Sequence, residues 1–209
     1  MSEIVDQIDR GHREVGTRKV EAGEAHGVLL RRTYEAPIAE VWDAVTSPER
    51  IGAWFLPVTG EFRLGGRYQL QGHAGGEILE CAAPERLRVS WLYGPDPGFS
   101  EVEVRLAAEG AGRTVFEVEH VAVVPEEFWN QFGPGAVGIG WDSIALGLGM
   151  HLAGRGMSRE ESEAWQRTSE AKEFFRRSGE EWGAAYAASG ADPETVAATT
   201  EATIGAYTA

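Results

Sequence analysis

The chain has 209 residues, of which 33 are acidic and 19 are basic, so its formal charge is -14. Nucleic acids and anionic membranes are bound through clustered lysine and arginine, which makes both poor partners for so acidic a chain. No stretch reaches the roughly 18 apolar residues of a membrane span, and the first residues, MSEIVDQIDRGHREVG, lack the basic and apolar regions of a signal peptide. We therefore expect a soluble, cytoplasmic protein that binds no nucleic acid and no membrane.

Cysteine and histidine usage restricts the metal chemistry. Cys81 is the only cysteine, which excludes an internal disulfide and a zinc site built from several thiolates. The histidines never form a His-x-His or His-x-x-x-His pair, so we expect no metal site. The histidines are His12, His26, His73, His120 and His151. The glycines of GAVGIGWDS lack the spacing of a dinucleotide-binding fingerprint, and we expect no cofactor.

The first part of the chain reads as a hairpin followed by two short helices. A Gly/Ala/Glu-rich turn at residues 22–25 predicts a hairpin over residues 14–35. Pro37 then opens a helix whose apolar residues recur at spacings of three and four. A second helix is predicted to begin after Ser47 and to end before Pro57.

Residues 58–120 read as a series of strands separated by glycine and proline. The segment LRVSWLY places Val89, Trp91 and Tyr93 on one face, and the segments EVEVRL and TVFEVEH alternate in the same way. Strands with one apolar and one polar face are typical of an antiparallel sheet that is covered on one side.

A glycine-rich helix over residues 138–153 is the predicted cover. Its apolar residues form one stripe, which we expect to face the sheet, although four glycines lower its intrinsic stability by about 1 kcal/mol each relative to alanine. The preceding segment, VAVVPEEFWNQFGPGA, reads as a loop with exposed Phe128, Trp129 and Phe132 that closes over a cavity mouth. The stripe consists of Val137, Trp141, Ile144, Ala145, Leu148 and Leu152.

The residues after Gly154 are rich in alanine and glutamate and are predicted to form three helices. Their apolar residues are too few and too one-sided to form an independent core. We therefore expect this extension to pack on the sheet domain or on a second subunit of a homodimer. The helix starts are marked by Ser158 with Glu161, Ser178 with Glu181, and Asp192 before Pro193.

Ordered motifs over residues 26–153 resemble the START-like, or SRPBCC, superfamily. They are RRTYEAPIAEVWDAVTSPERIGAWFLP, RLGGRYQLQG, PERLRVSWLY, GRTVFEVEH and VGIGWDSIALGL, and they look most like the branch named for activators of the heat-shock-protein-90 ATPase. The resemblance implies an α+β helix-grip fold, in which a curved antiparallel sheet wraps around a long C-terminal helix and leaves a cavity between them. The chain then divides into an N-terminal segment (1–25), the START-like domain (26–153) and a helical extension (154–209).

The inward face of the sheet and the helix predict a ligand site rich in aromatic side chains. Apolar pockets with a few polar groups are the usual small-molecule sites, although the same rings can simply fill a core. His120 is the best acid-base candidate, with Tyr93 or Glu80 to orient it; a hydrogen-bonded core residue is its alternative role. The predicted ligand-binding residues are Trp54, Tyr68, Trp91, Tyr93, His120, Trp141, Ile144 and Leu148.

The predicted strand GGEILEC carries three further candidates. Regular alternation places Glu77 and Glu80 on opposite faces, so at most one of them points into the cavity, where it needs a partner. The alternative is that both lie at a solvated rim. Cys81 has no basic neighbour to activate it and is expected to be an inert core residue.

Three functions are open at this point, because a fold of this superfamily supplies a cavity but not its chemistry. The first is binding of a small, largely hydrophobic or aromatic molecule between sheet and helix. The second is a polyketide cyclase- or hydrolase-like enzyme that uses the same cavity, with His120 moving a proton. The third is a chaperone-ATPase cofactor or another protein-interaction role.

Overall fold

A computed structural model describes residues 3–95 and 97–209 and shows an eight-stranded antiparallel sheet with helices. The strands are β1 (His12–Val20), β2 (Gly23–Tyr34), β3 (Val58–Gly60), β4 (Arg67–Leu70), β5 (Gly75–Ala82), β6 (Arg86–Ser90), β7 (Ser100–Ala108) and β8 (Thr114–Ala122). The helices are a 3-10 helix (Val5–Arg10), α1 (Ile38–Thr46), α2 (Pro48–Trp54), α3 (Glu126–Phe132), α4 (Gly135–Leu152), α5 (Arg159–Trp165), α6 (Ser169–Ala188) and α7 (Pro193–Thr208).

The sheet runs in the order β1-β2-β8-β7-β6-β5-β4-β3, and its inward face packs against α4. Side chains alternate along the central strands, as the sequence predicted. On β8, Phe116 and Val118 are buried in the core, whereas Glu117 lies on the outward face in an ion pair with Arg105. The α+β helix-grip fold is therefore confirmed.

The first hairpin and the two short helices are also confirmed, with small shifts. The turn between β1 and β2 falls at Glu21 and Ala22, slightly earlier than the predicted turn. The helix α1 follows Pro37 directly, and α2 follows Ser47. These two helices connect β2 to β3 and contact α4 at the edge of the sheet.

The helix α4 is covered on both sides, which corrects the prediction of a single apolar stripe. It begins at Gly135, before the predicted start. Ile139, Asp142 and Leu146 lie outside the predicted stripe and are buried as well. The reason is that α6 covers the side of α4 that faces away from the sheet.

Within the described residues, no helix is long and apolar enough to cross a bilayer.

The segment before α4, which was predicted to be an exposed loop, contains the helix α3. Trp129 is buried, and its ring stacks on the His26 ring with 3.7 Å between the centroids. Phe128 is exposed, as predicted, and packs against Phe132. The loop prediction was wrong because α3 contacts α7, an element far along the chain.

Three helices follow α4, and α6 contacts α4, α7, β1 and the 3-10 helix. The caps at Ser158 and Asp192 are confirmed by side-chain hydrogen bonds to the backbone. The predicted helix start at Ser178 is wrong. Thr168 caps α6, and Ser178 is buried within α6, where it donates a hydrogen bond to Asp142.

Candidate functional site

Two cavities lie between the inward face of the sheet and α4. The first, which we call the apolar cavity, has a volume of about 190 Å³ and lies toward α1 and α2. The second, which we call the histidine cavity, has a volume of about 300 Å³ and lies toward α3 and the extension. Trp54, Tyr68, Ile78, Cys81, Val104 and Phe116 are among the residues around the apolar cavity. His26, His73, His120, Trp129, Val137 and Tyr207 are among those around the histidine cavity.

Trp91, Trp141 and Ile144 line both cavities and form the partition between them. The centroids of the two indole rings are 5.5 Å apart, and the rings are tilted by 47°. Trp91 follows the end of β6, and Trp141 and Ile144 share one face of α4 because they are three residues apart. The sheet and the helix therefore supply one ring each to the partition.

The polar atoms around the apolar cavity are largely used by the protein itself. The Tyr68 hydroxyl donates to the Ser90 carbonyl oxygen at 2.8 Å, and burial raises the pKa of Tyr68 well above its usual value. The Trp54 Nε1–H donates to the Ala44 carbonyl oxygen at 3.0 Å. These side chains consequently present their apolar ring surfaces to the cavity.

His120 is held in one neutral tautomer. The Trp141 Nε1–H lies 3.3 Å from Nδ1 of His120. An indole N–H can only donate, so Nδ1 must accept, and the ring proton therefore lies on Nε2. This Nε2–H donates to the Ser100 hydroxyl oxygen at 2.8 Å. Burial lowers the pKa of His120 from 6.5 to about 4, so the ring is neutral at physiological pH.

His26 lies on β2 in the wall of the histidine cavity, where its ring is stacked on Trp129. Its Nδ1 atom is buried and has no hydrogen-bond partner among the described residues. Burial lowers the pKa of His26, against the opposing effect of Glu24. A buried ring nitrogen without a partner costs free energy, which a hydrogen bond to a ligand would recover.

His73 is exposed and lies in the wall of the histidine cavity. Its ring contacts Trp91 at a centroid distance of 5.7 Å and Tyr93 at 5.4 Å. Burial lowers the pKa of His73. Three histidines with lowered pKa values therefore line one cavity, although the described residues contain no His/Cys/Asp/Glu group with metal-binding geometry.

The structure places most of the predicted ligand-binding residues around the cavities, with two exceptions. Tyr93 lines neither cavity: it is 67% exposed, because the chain leaves the sheet after β6. Leu148 is fully buried and also lines neither cavity. It lies one turn beyond Ile144 on α4, where the core is filled. Trp54 and Tyr68 line the apolar cavity, His120 lines the histidine cavity, and Trp91, Trp141 and Ile144 line both.

The regular alternation assumed for Glu77 and Glu80 is interrupted, and neither residue lines either cavity. A β-bulge between Ile78 and Glu80 breaks the alternation, so that Ile78 and Cys81 both line the apolar cavity. Glu80 lies on the outward face, 3.4 Å from an Arg86 nitrogen, and therefore does not orient His120. Cys81 is exposed on the cavity wall, which corrects its expected place in the core.

Sequence reasoning missed four residues around the histidine cavity. Three of them come from β2, α3 and α7, which were assigned to the hairpin, a loop over the cavity mouth and the extension, and His73 lies between β4 and β5. The signal for His26 was present, since it alternates with the buried Val28 and Leu30 on one face of β2. The missed residues are His26, His73, Trp129 and Tyr207.

The sequence motifs and the fold find counterparts among known proteins. Residues 35–152 match the family described as activator of Hsp90 ATPase homolog 1-like protein. The chain belongs to this family. CalU16 from Micromonospora echinospora is 37% identical to it: the crystal structure has a TM-score of 0.66 over 84% of this chain and 97% of CalU16. The solution structure of CalU16 gives 0.68 over 86% and 96%.

DynU16, a protein in the dynemicin biosynthetic locus, has the same fold. It is 23% identical, with a TM-score of 0.51 over 61% of this chain and 47% of DynU16, which supports a likeness in fold alone. No curated protein sequence matches the chain. The resemblance that the motifs indicated is thus confirmed at the level of family and fold.

Proposed function

We propose that this protein binds a small, largely apolar or aromatic molecule between the sheet and α4, with one polar group of the ligand at His26. The observation that carries the proposal is the unfilled apolar space on both sides of the Trp91 and Trp141 rings. An engineered cavity of about 150 Å³ in another protein accepts benzene, and each cavity here is larger. The hollow therefore has room for an aromatic ring on either side of the partition.

The composition of the walls sets the chemistry of the ligand. Transfer of apolar surface from water supplies roughly 25 cal/mol per Å², so a ligand that buries about 200 Å² gains about 5 kcal/mol before the costs of binding. The buried Nδ1 of His26 accepts a hydrogen bond from a hydroxyl or amine of the ligand. The proposed ligand is accordingly an aromatic or alicyclic molecule with one donor group.

The geometry of His120 favours binding over acid-base catalysis. Both ring nitrogens are engaged by Ser100 and Trp141, and the lowered pKa opposes the uptake of a proton at neutral pH. A cyclase- or hydrolase-like reaction requires such an uptake or its reverse. We therefore propose that His120 positions the Trp141 ring in the partition.

Calorimetric titration with 1-naphthol and naphthalene tests the proposal. We expect both probes to bind the full chain. Ile144→Trp fills space on both sides of the partition and should weaken both probes at least about tenfold. Leu64→Trp introduces the same ring at an exposed position outside the cavities and serves as the control. Failure of both probes to bind, or equal binding by the Ile144→Trp chain, contradicts the proposal.

A second pair of variants locates the ligand. Val104→Phe fills only the apolar cavity, whereas Val137→Phe fills only the histidine cavity. Because His26 lies in the histidine cavity, we expect Val137→Phe to weaken 1-naphthol more than Val104→Phe does. His26→Phe keeps the ring stacked on Trp129 and removes the acceptor, so it should lower the affinity for 1-naphthol about fivefold and leave naphthalene unchanged. Equal losses for the two probes contradict the role of His26.

A further inference from the structure

Among the residues that the structure describes, two arginines are buried, and only one of these two has a carboxylate partner. Arg13 is 8% exposed and donates to both carboxylate oxygens of Asp142, at 3.1 and 2.8 Å. Its remaining N–H groups reach the backbone carbonyl oxygens of Gly11 and Ile8. This is the arrangement that a buried guanidinium requires, because a buried charge is costly unless it is paired and hydrogen-bonded.

Arg32 is 6% exposed, and its situation differs. Its Nη2 donates to the Gln7 side-chain oxygen at 2.7 Å, and its guanidinium carbon lies 5.5 Å from the centroid of the Tyr34 ring. Its Nε is buried without a hydrogen-bond partner, and no carboxylate of the described residues pairs with it. A guanidinium on the inward face of β2 is therefore left without a counter-charge.

Arg32 lies in the wall of a third cavity, which we call the arginine cleft. It has a volume of about 630 Å³ and lies between the 3-10 helix, the end of β2 and the C-terminal half of α4. Arg10 also lines it and has no ion-pair partner among the described residues. Two further arginines of the wall are paired: Arg113 with Glu35 at 3.1 Å, and Arg155 with Glu3 at 3.0 Å.

The arginine cleft thus carries a local excess of positive charge in a chain whose net charge is -14. Its wall also contains the apolar side chains of Leu146, Met150 and Leu152. Guanidinium groups bind carboxylates and phosphates through paired N–H donors, more strongly than neutral groups do. An oxyanion at Arg32 would supply the counter-charge that the protein does not.

We propose that the arginine cleft is a second binding site, for a small organic anion with a carboxylate or phosphate head group and a short apolar body. Arg32 and Arg10 bind the head group, and Leu146, Met150 and Leu152 contact the body. This site is separate from the two cavities between the sheet and α4, and it does not depend on the function proposed for them.

Titration calorimetry with hexanoate, hexyl phosphate and hexan-1-ol tests this site on the full chain. The three probes share one apolar body, and their head groups distinguish a carboxylate, a phosphate and a neutral group. Arg32→Gln and Arg10→Gln should each weaken at least one anion about tenfold, since a hydrogen bond to a charged group is lost. Neither variant should change the affinity for hexan-1-ol.

Arg159→Gln is the control, because Arg159 is an exposed arginine outside the cleft that pairs with Glu163. Arg10 is exposed and unpaired, so Arg10→Gln preserves the fold even if Arg32→Gln does not. Anion affinities that are the same in Arg10→Gln, Arg159→Gln and the wild type overturn the proposal. That result would leave the function proposed for the two cavities between the sheet and α4 unaffected, because the titrations with 1-naphthol and naphthalene test it separately.

Discussion

The two sides of α4 differ in packing: the side of the extension is closely packed, whereas the side of the sheet contains unfilled space. On the side of the extension, Gly138 lies so close to Trp182 that an added Cβ would come within 2.4 Å of the indole ring. The carboxylate of Asp142 on the same side accepts hydrogen bonds from Arg13, Ser178 and Trp182. On the side of the sheet, the rings of Trp91 and Trp141 leave cavities of about 190 and 300 Å³.

This difference in packing indicates that the extension side of α4 mainly stabilises the fold, whereas the sheet side leaves space for the proposed ligand. Close packing and a satisfied polar network fix the position of α4 on one side. A cavity lowers the stability of the folded chain, so the unfilled space on the sheet side reduces the free energy of unfolding. A helix held firmly from one side can leave room for a ligand on the other, and substitutions on the two sides should accordingly have different effects.

The largest difference in stability is expected for the two buried arginines. Arg13→Met leaves Asp142 buried without its cation and should lower the free energy of unfolding by about 3–5 kcal/mol. Arg32→Met removes a buried charge that has no carboxylate partner, so it should change this free energy by less than about 1 kcal/mol or increase it. Urea unfolding followed by circular dichroism measures both. Equal losses would show that the two arginines have the same structural role.

A pH-dependent loss of stability is expected on the sheet side. The pKa of His120 is about 4 in the folded chain, against 6.5 for an exposed histidine. Between these values the unfolded chain binds a proton that the folded chain does not, so stability falls as the pH falls from 6.5 to about 4, by roughly 3 kcal/mol.

The variant His120→Gln isolates this effect. Burial raises the pKa values of Glu103 and Glu117, but the neighbouring arginines together outweigh it and lower them; both groups titrate in both chains and cancel in the difference. The wild-type loss of stability over this range should exceed that of His120→Gln, as measured by urea unfolding at a series of pH values. Parallel pH profiles would mean that burial of His120 does not control this dependence.

Two glycines of α4 make the sharpest matched pair. Gly138→Ala places a methyl group against Trp182 and should cost about 1–3 kcal/mol of stability. Gly147 faces Trp54, and a Cβ there would lie at an ordinary contact distance of 3.5 Å from the nearest atom. Gly147→Ala should therefore be neutral or stabilising by up to about 1 kcal/mol, through helix propensity. Thermal unfolding compares the two, and similar effects would remove the proposed contrast between the two sides.

The sequence predicted the sheet side of the molecule better than the extension side. Alternation in LRVSWLY and TVFEVEH identified the inward face, and the spacing of Trp141 and Ile144 placed both on α4 toward the cavity. These signals are local in the chain. The error at Glu80 arose from a β-bulge, which leaves no mark in the alternation of a short strand.

The errors on the extension side have a common physical cause. Ser178 and Glu181 match a capping box, but Ser178 instead donates to Asp142, which is 36 residues away in the chain. Asp142 was not singled out from the sequence, and its buried partners lie far away in the chain, on β1 and α6. Hydrogen bonds between buried polar groups that are far apart in the chain therefore determine the positions of Ser178 and Asp142, and a local sequence pattern cannot predict such bonds.

The sheet side of α4 encloses accessible apolar space on both sides of the partition. A crystal structure of the protein under xenon pressure measures this directly, since xenon occupies empty apolar cavities. We expect xenon on both sides of the Trp91 and Trp141 rings, in the apolar cavity and in the histidine cavity, and none between α4 and α6. Absence of xenon between the sheet and α4, with the space filled by side chains, would contradict the presence of accessible space there.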